Sequence, residues 1–168
     1  LRTPTREFLL AYKKYNEKFS DAKLILDKVN LKQEITEFII ENSIKNVFFE
    51  GYSSSIVDIM KKIDLVVELH PSEGFLDCAS PPLLLFEAMA CGKKIIASNI
   101  PEIKCIIKHN KTGLLFDNCD SNQIYDCITN SLEKKNKLGE NARKEILKNY
   151  DIKKIVKKYE EIYSEFLN

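Results

Sequence analysis

The chain has 168 residues, of which 44% are hydrophobic, and this is enough for one domain with a buried core. Its 26 Lys and Arg residues nearly balance its 25 Asp and Glu residues, which leaves a formal net charge of +1 at pH 7. The charge balance excludes a bulk positive field of the kind that attracts nucleic acid, so we expect no nucleic-acid partner.

The apolar runs and the cysteines argue against a membrane-spanning, a secreted and a metal-binding protein. The longest apolar runs, such as residues 83–86, are far too short to span a bilayer, and the first residues do not have the profile of a signal peptide. The five cysteines are widely spaced, form no C-x-x-C pair and accompany only two histidines. We therefore expect reduced thiols, no metal site and a cytoplasmic location.

Helical and extended patterns alternate along the chain. Apolar residues at helical spacing predict helices, and short continuous apolar runs predict strands. The predicted elements are helix 8–19, strand 22–29, helix 31–42, strand 47–49, helix 55–62, strand 65–69, helix 82–91, strand 94–97, a helix after Pro101, strand 113–116, a helical region 120–149 interrupted near Gly139, and helix 152–166.

This alternation predicts βαβ crossovers and an α/β fold, a Rossmann-like parallel sheet with helices on both faces. No Pro-, Gly- or Ser-rich linker divides the chain, so we expect residues 1–168 to form one domain. Such a domain normally begins with a strand, whereas this sequence opens with a helix. We therefore expect the first strand, and a preceding domain, to lie outside it.

The loop after strand 65–69 is the predicted ligand site, because parallel α/β sheets bind ligands at the carboxyl ends of their strands. Ser80 is predicted to cap the next helix, and no acidic side chain follows in its first turn. A phosphate there would accept hydrogen bonds from the Ser80 hydroxyl and from the backbone amides of Leu83 and Leu84. Glu87 lies among apolar residues of this helix, where an unpaired buried charge is costly.

Four segments of the sequence occur in register between residues 64 and 117, namely SEGF, FEAMACGKKIIAS, IPEI and TGLLF. Together they resemble the donor-domain signature of the retaining GT-B glycosyltransferases of group 1, or family 4. The resemblance implies the C-terminal half of a GT-B fold, which binds a nucleoside-diphosphate sugar. It also implies a hexosyltransferase-like enzyme that transfers the sugar, with retention, to an acceptor held by an N-terminal domain. An isolated donor domain should then be inactive or nearly so.

The resemblance also implies roles for the acids. Glu87 matches the second glutamate of the family's paired carboxylates, which accepts hydrogen bonds from the ribose hydroxyls of the donor. The first glutamate normally lies eight positions earlier, and that position is Ala79. Glu73, in the matching SEGF segment, and Asp77 are the two candidates for the carboxylate that stabilises an oxocarbenium-like transition state.

Other implied contacts are with the donor diphosphate. Gly74 and Phe75 match the loop whose backbone approaches it, and Arg2 lies near the basic residues that the family presents before its first helix. The family uses no metal ion, because cations and a helix dipole neutralise the leaving diphosphate, so no cofactor is expected. Any membrane contact, at the cytoplasmic face, would be made by the other domain.

Two alternatives remain open from the sequence alone. The displaced first carboxylate is also compatible with a degenerate, non-catalytic GT-B binding domain. Another Rossmann-like ligand-binding module, such as a flavodoxin-like receiver, would carry clustered acids after its first strand, where only Asp27 is found. We interpret His70 as structural, and the lysines between Lys134 and Lys158, which alternate with glutamates, as a solvated surface.

Overall fold

The structure is a computed structural model that describes residues 3–27, 33–51, 55–70, 82–117 and 120–167. Helices and strands alternate through these ranges, as the sequence predicts. The elements are α1 (Thr3–Lys18), β1 (Leu24–Asp27), α2 (Gln33–Glu41), β2 (Val47–Glu50), α3 (Ile56–Lys62), β3 (Leu65–Glu68), α4 (Leu83–Ala90), β4 (Lys94–Ser98), α5 (Pro101–Lys104), β5 (Leu114–Phe116), α6 (Ser121–Leu132), α7 (Leu138–Asn149) and α8 (Ile152–Leu167).

The strands form two hydrogen-bonded groups, the pair β1–β2 and the sheet β3–β4–β5. Both groups are parallel, with Val66 opposite Ile95 and Ala97 opposite Leu115 in the larger one. A parallel arrangement follows from the helices that separate consecutive strands, because each crossover returns the chain to the same edge. The predicted parallel arrangement is therefore confirmed.

Helices cover both faces of β3–β4–β5. Ile95 and Ala97 of β4 pack with α4 and α7, whereas Ile96 between them packs with α1 and α6. This alternation is the period of two that a strand buried on both faces requires. The α4 side also contains Val66, Leu85, Ala88, Met89, Leu115, Ala142 and Ile146. The α/β layering predicted from the sequence is confirmed.

The break in the helical region 120–149 lies before Gly139 rather than at it. The side-chain amide of Asn136 donates to the carbonyl oxygens of Asn130 at 3.2 Å and Ser131 at 3.1 Å, and its oxygen accepts from the N–H of Leu138 at 3.3 Å. One side chain thus caps the end of α6 and the start of α7. Gly139 itself lies inside α7, so the predicted interruption near Gly139 is present and lies at residues 133–137.

The predicted N-cap of α4 is wrong. The N-cap is Pro82, with φ −57° and ψ 134°, and the helix begins at Leu83. The two consecutive prolines explain the difference, because a residue that precedes proline is pushed out of the helical region. The predicted helix, residues 82–91, is therefore one residue too long at its start.

Candidate functional site

Strands β3, β4 and β5 end at one edge of the sheet, and α4 begins at the same edge. In a parallel sheet the crossover helix is antiparallel to the strands, so its amino end lies near their carboxyl ends. The groups at this edge are Glu68 at the end of β3 and His70 beyond it, Ser98 at the end of β4 and Asn99 beyond it, and Asp117 after β5. These groups and the start of α4 form the candidate site.

The first backbone amides of α4 have no hydrogen-bond acceptor among the described residues. Its Pro82 cap has no side-chain hydrogen bond, and its first turn has no acidic residue. The N–H of Leu85 donates to the carbonyl of Pro82 at 3.0 Å. The N–H groups of Leu83 and Leu84 have no acceptor within the helix, because they belong to its first two residues. Their amides and the helix dipole favour an anion at this point.

Glu87 is half-buried on the same helix. It follows Leu84 by three residues and Leu83 by four, so it lies on their side of α4, whereas Leu85, Ala88 and Met89 face the core. Within the described ranges, no hydrogen bond or ion pair engages the Glu87 carboxylate. A half-buried carboxylate without a protein partner is a group that a ligand donor would satisfy.

A second acid, Glu68, was not among the residues predicted from the sequence. Its Oε1 atom lies 2.9 Å from Nε2 of His70, and the two side chains are only 17% and 11% exposed. The backbone N–H of His70 donates to Oγ of Ser98 at 2.9 Å, which ties the end of β3 to the end of β4. His70 thus has the structural contacts that its sequence position suggests, and it also lies at the site edge.

Asn99 is another residue that the sequence reasoning missed. Its side-chain amide donates to Oδ1 of Asp117, which fixes its orientation, and its backbone N–H donates to the carbonyl of Phe116 at 2.9 Å. Its Oδ1 atom is buried and accepts no hydrogen bond from the described residues. A polar residue immediately after a buried strand was the available signal for both Asn99 and Asp117.

Most other predicted site residues lie outside the described ranges. Glu73, Gly74, Phe75, Asp77 and Ser80 fall in residues 71–81, and Arg2 precedes residue 3. The structure therefore places Leu83, Leu84 and Glu87 together on α4 and leaves the roles of the others as predictions.

Neither a metal cluster nor a membrane-spanning helix occurs in the described parts of the chain. There, no three His, Cys, Asp or Glu side chains are close enough to hold a metal ion. In the same ranges, no helix is both long and apolar enough to cross a membrane.

A family model described as "Glycosyl transferases group 1" matches residues 6–145. The N-acetyl-alpha-D-glucosaminyl L-malate synthase of Bacillus anthracis is 30% identical over 155 residues, which are 88% of this chain and 38% of that protein. The UDP-Gal:alpha-D-GlcNAc-diphosphoundecaprenol alpha-1,3-galactosyltransferase of Escherichia coli is 27% identical over 121 residues, 71% of this chain and 30% of that protein. The chain thus spans less than two fifths of either relative.

Solved structures share the fold. Anabaena HepE, in complex with UDP, has a TM-score of 0.76 and 20% identity over 95% of this chain and 44% of that one. The C-terminal domain of a group 1 glycosyl transferase family protein, LpcC from Francisella tularensis, has a TM-score of 0.68 and 21% identity over 90% of this chain and 83% of that one. The predicted fold class, a Rossmann-like C-terminal half of a GT-B fold, is confirmed.

Proposed function

The chain belongs to the group 1 glycosyl transferases, and from this membership we propose that it binds the nucleoside-diphosphate sugar of such an enzyme. The donor would lie at the carboxyl edge of β3–β4–β5, with its diphosphate at the amino end of α4 and its ribose at Glu87. One observation carries the proposal, namely the half-buried Glu87 carboxylate. Neither this carboxylate nor the backbone amides one helical turn before it have a partner among the described residues.

The chemistry of a nucleotide suits this spacing. Four residues of helix separate Leu83 from Glu87 by about 6 Å along the axis, a separation that one nucleoside diphosphate can bridge. Phosphate oxygens accept hydrogen bonds, which the helix amides can donate. The two vicinal ribose hydroxyls can donate hydrogen bonds, which a carboxylate accepts. UDP is present in the HepE structure, which has the same fold, and this supports a uridine nucleotide as the first ligand to test.

In the proposed reaction, the bond between the sugar C1 and the diphosphate breaks, and C1 forms a bond to an acceptor hydroxyl, which loses its proton. We propose retention of configuration, as in the resembled family. Glu73 or Asp77 would stabilise the positive charge that develops at C1, and Ser80 would hydrogen-bond the phosphates. Arg2, the Gly74–Phe75 backbone and the α4 amides would neutralise the leaving diphosphate without a metal ion.

Acceptor binding is assigned to another part of a longer protein, because the chain spans so little of its relatives. Helix α8 supports this proposal, since Ile152, Tyr163 and Phe166 on its apolar stripe are 68%, 61% and 85% exposed. Such a surface is suited to contact with a further domain. We therefore propose that the 168-residue chain alone binds donor but transfers little or no sugar.

Calorimetric titration with UDP, GDP and ADP tests donor binding. We expect one of the three to bind, and Glu87→Gln to weaken it by about tenfold to a hundredfold, because hydrogen bonds to a charged group contribute about 1.5–3 kcal/mol. Glu41→Gln removes an exposed acid from α2 and serves as the matched control. No binding by any nucleotide, or equal binding by the Glu87 variant and the control, would contradict the proposal.

Catalysis by the domain needs its own experiment, because a degenerate binding domain would also bind UDP. In the full-length protein, Glu73→Gln and Asp77→Asn should separate the two functions. We expect one of these variants to lose most of its transfer rate and to keep its nucleotide affinity. Full activity of both would show that neither acid is the catalytic carboxylate.

A further inference from the structure

An open cavity of about 460 Å³ lies at the opposite edge of the sheet from the candidate site. It is lined by Lys94, which begins β4, and by residues of the α6–α7 connection, namely Leu132, Glu133, Lys134, Lys135, Asn136, Lys137 and Glu140. We call it the Lys94 cavity. Ser98, at the other end of β4, belongs to the candidate site, so the length of the strand, about 13 Å, separates the two places.

Positive charge dominates the lining of the Lys94 cavity. Lys94, Lys134, Lys135 and Lys137 form no ion pair with any acid in the described ranges. Of the two acids in the lining, Glu133 is already paired with Lys18, whose Nζ lies 3.3 Å from its Oε2. Because the chain as a whole carries a net charge of only +1, this excess of positive charge is local.

These lysines are not needed to complete the helices beside them. A cation at the end of α6 would normally hydrogen-bond the last carbonyls. The side-chain amide of Asn136 already donates to the carbonyls of Asn130, Ser131 and Lys134, at 3.2, 3.1 and 3.0 Å. These bonds also fix the backbone of the connection, so the lysines project from a preorganised segment.

The arrangement is unfavourable for the protein alone. Lys137 is the N-cap of α7 and makes no side-chain capping bond, although the amino end of a helix favours negative groups. Lys134 and Lys135 add charge of the same sign within three residues. Asn136 and Glu140 already complement this helix end, so the lysines have no role in capping, and a bound anion would relieve their mutual repulsion.

We propose that the Lys94 cavity binds an anion that carries a phosphoryl group. Lysine ammonium groups bind phosphate oxygens as point charges, and several of them together favour a ligand with two or more negative charges. The cavity volume falls within the range of small-molecule sites and exceeds the needs of a bare phosphate ion. The ligand is therefore a phosphate ester, either free in solution or as the headgroup of a lipid.

The test uses pyrophosphate as the probe and the ¹⁵N-labelled 168-residue chain at low ionic strength. We expect amide shifts at residues 94 and 132–140, whether or not UDP is present. The variant Lys134→Gln/Lys135→Gln/Lys137→Gln should weaken this binding by about tenfold or more. The control Lys153→Gln/Lys157→Gln/Lys158→Gln makes the same charge change on α8 and should keep the affinity.

Residue mapping keeps the two sites distinguishable. Pyrophosphate shifts at residues 83–87 would report the donor site, whereas shifts at residues 132–140 report the Lys94 cavity, and either can be present without the other. No shifts at the cavity, or an equal loss of affinity in the α8 control, would overturn the proposal. Sedimentation with phosphatidylcholine vesicles, with and without phosphatidylglycerol, then identifies the source. Binding that requires phosphatidylglycerol and the three cavity lysines indicates a headgroup, and no such binding indicates a free ester.

Discussion

Gly139 lets the first turn of α7 lie directly against the chain that follows α4, and Gly139→Ala tests this contact. A Cβ atom at this position would be 2.1 Å from the carbonyl oxygen of Gly92 and 3.0 Å from its carbonyl carbon. The carbonyl carbon of Lys93 would be 3.2 Å away. These are backbone atoms, so no side chain can rotate to make room, and α7 would have to move by about 1 Å.

The magnitude follows from two opposing effects. Helix propensity alone would make Gly139→Ala stabilising by about 1 kcal/mol. Overpacking against a fixed backbone costs about 1–3 kcal/mol, and movement of α7 would also weaken the packing of Ala142 and Ile146 against the α4 side of the sheet. It would also disturb the hydrogen bond from Arg143 to the carbonyl of Ala90. We expect a net loss of about 2 kcal/mol in the free energy of unfolding.

Urea unfolding followed by circular dichroism measures this loss, and two other glycines provide controls. At Gly51 a Cβ would meet nothing within 4 Å, so Gly51→Ala should change stability by no more than about 0.5 kcal/mol. At Gly92 the nearest atoms are 3.8 Å away, but φ is +68°, so Gly92→Ala should cost about 1 kcal/mol through backbone strain alone. A Gly139→Ala protein as stable as the wild type would refute the close contact.

Three further predictions concern pH and capping. Burial raises the pKa of Tyr12 from 10 to about 12. The resulting contribution to the free energy of unfolding, at most about 2.7 kcal/mol, is present below about pH 10 and is lost as the pH rises towards 12. Tyr12→Phe should remove this part of the loss of stability at alkaline pH, as measured by urea unfolding. A hydrogen bond from Lys108 holds the pKa of Glu145 below its usual value, so this contribution is present above the ordinary carboxyl pKa and lost on acidification, and Lys108→Met should flatten the acid limb of the same unfolding curve. Asn136→Ala should lower the free energy of unfolding by about 1–3 kcal/mol, because it removes the cap shared by α6 and α7, and Asn149→Ala, at an exposed position, is the comparison.

The layers of the fold were predictable because they depend on patterns that the sequence states directly. Residues 65–67, 95–97 and 114–116 are each three consecutive apolar residues, as a strand covered on both faces requires. Because a helix lies between consecutive strands and the connections are short, the strands must be parallel. Glu87 was identifiable for a similar local reason, because a single acid in an apolar helix stands out without any knowledge of tertiary contacts.

The features that were missed depend on contacts between distant segments. Gly139 suggested a helix break, but its function is set by Gly92, 47 positions earlier, whose carbonyl leaves no space for a side chain. Glu68 and His70 are two positions apart, and only their shared burial makes them a pair. Asn99 acquires its orientation from Asp117, which follows β5. Local periodicity contains no information about such pairs, so they required coordinates.

Helix α4 is fixed at the end that is far from the proposed ligand and open at the end that is near it. At its carboxyl end, the N–H groups of Gly92 and Lys93 donate to the carbonyls of Met89 and Ala88, both at 2.9 Å, in the pattern of a Schellman turn. Arg143 adds a bond to the last carbonyl. The amino end has neither a side-chain cap nor a neighbouring acid.

Because the helix is already immobilised, an anion at its start would not have to order it, and little binding free energy would be lost to conformational entropy. For the same reason, a change behind the helix, such as Gly139→Ala, should reduce nucleotide affinity as well as stability, although it touches no ligand atom.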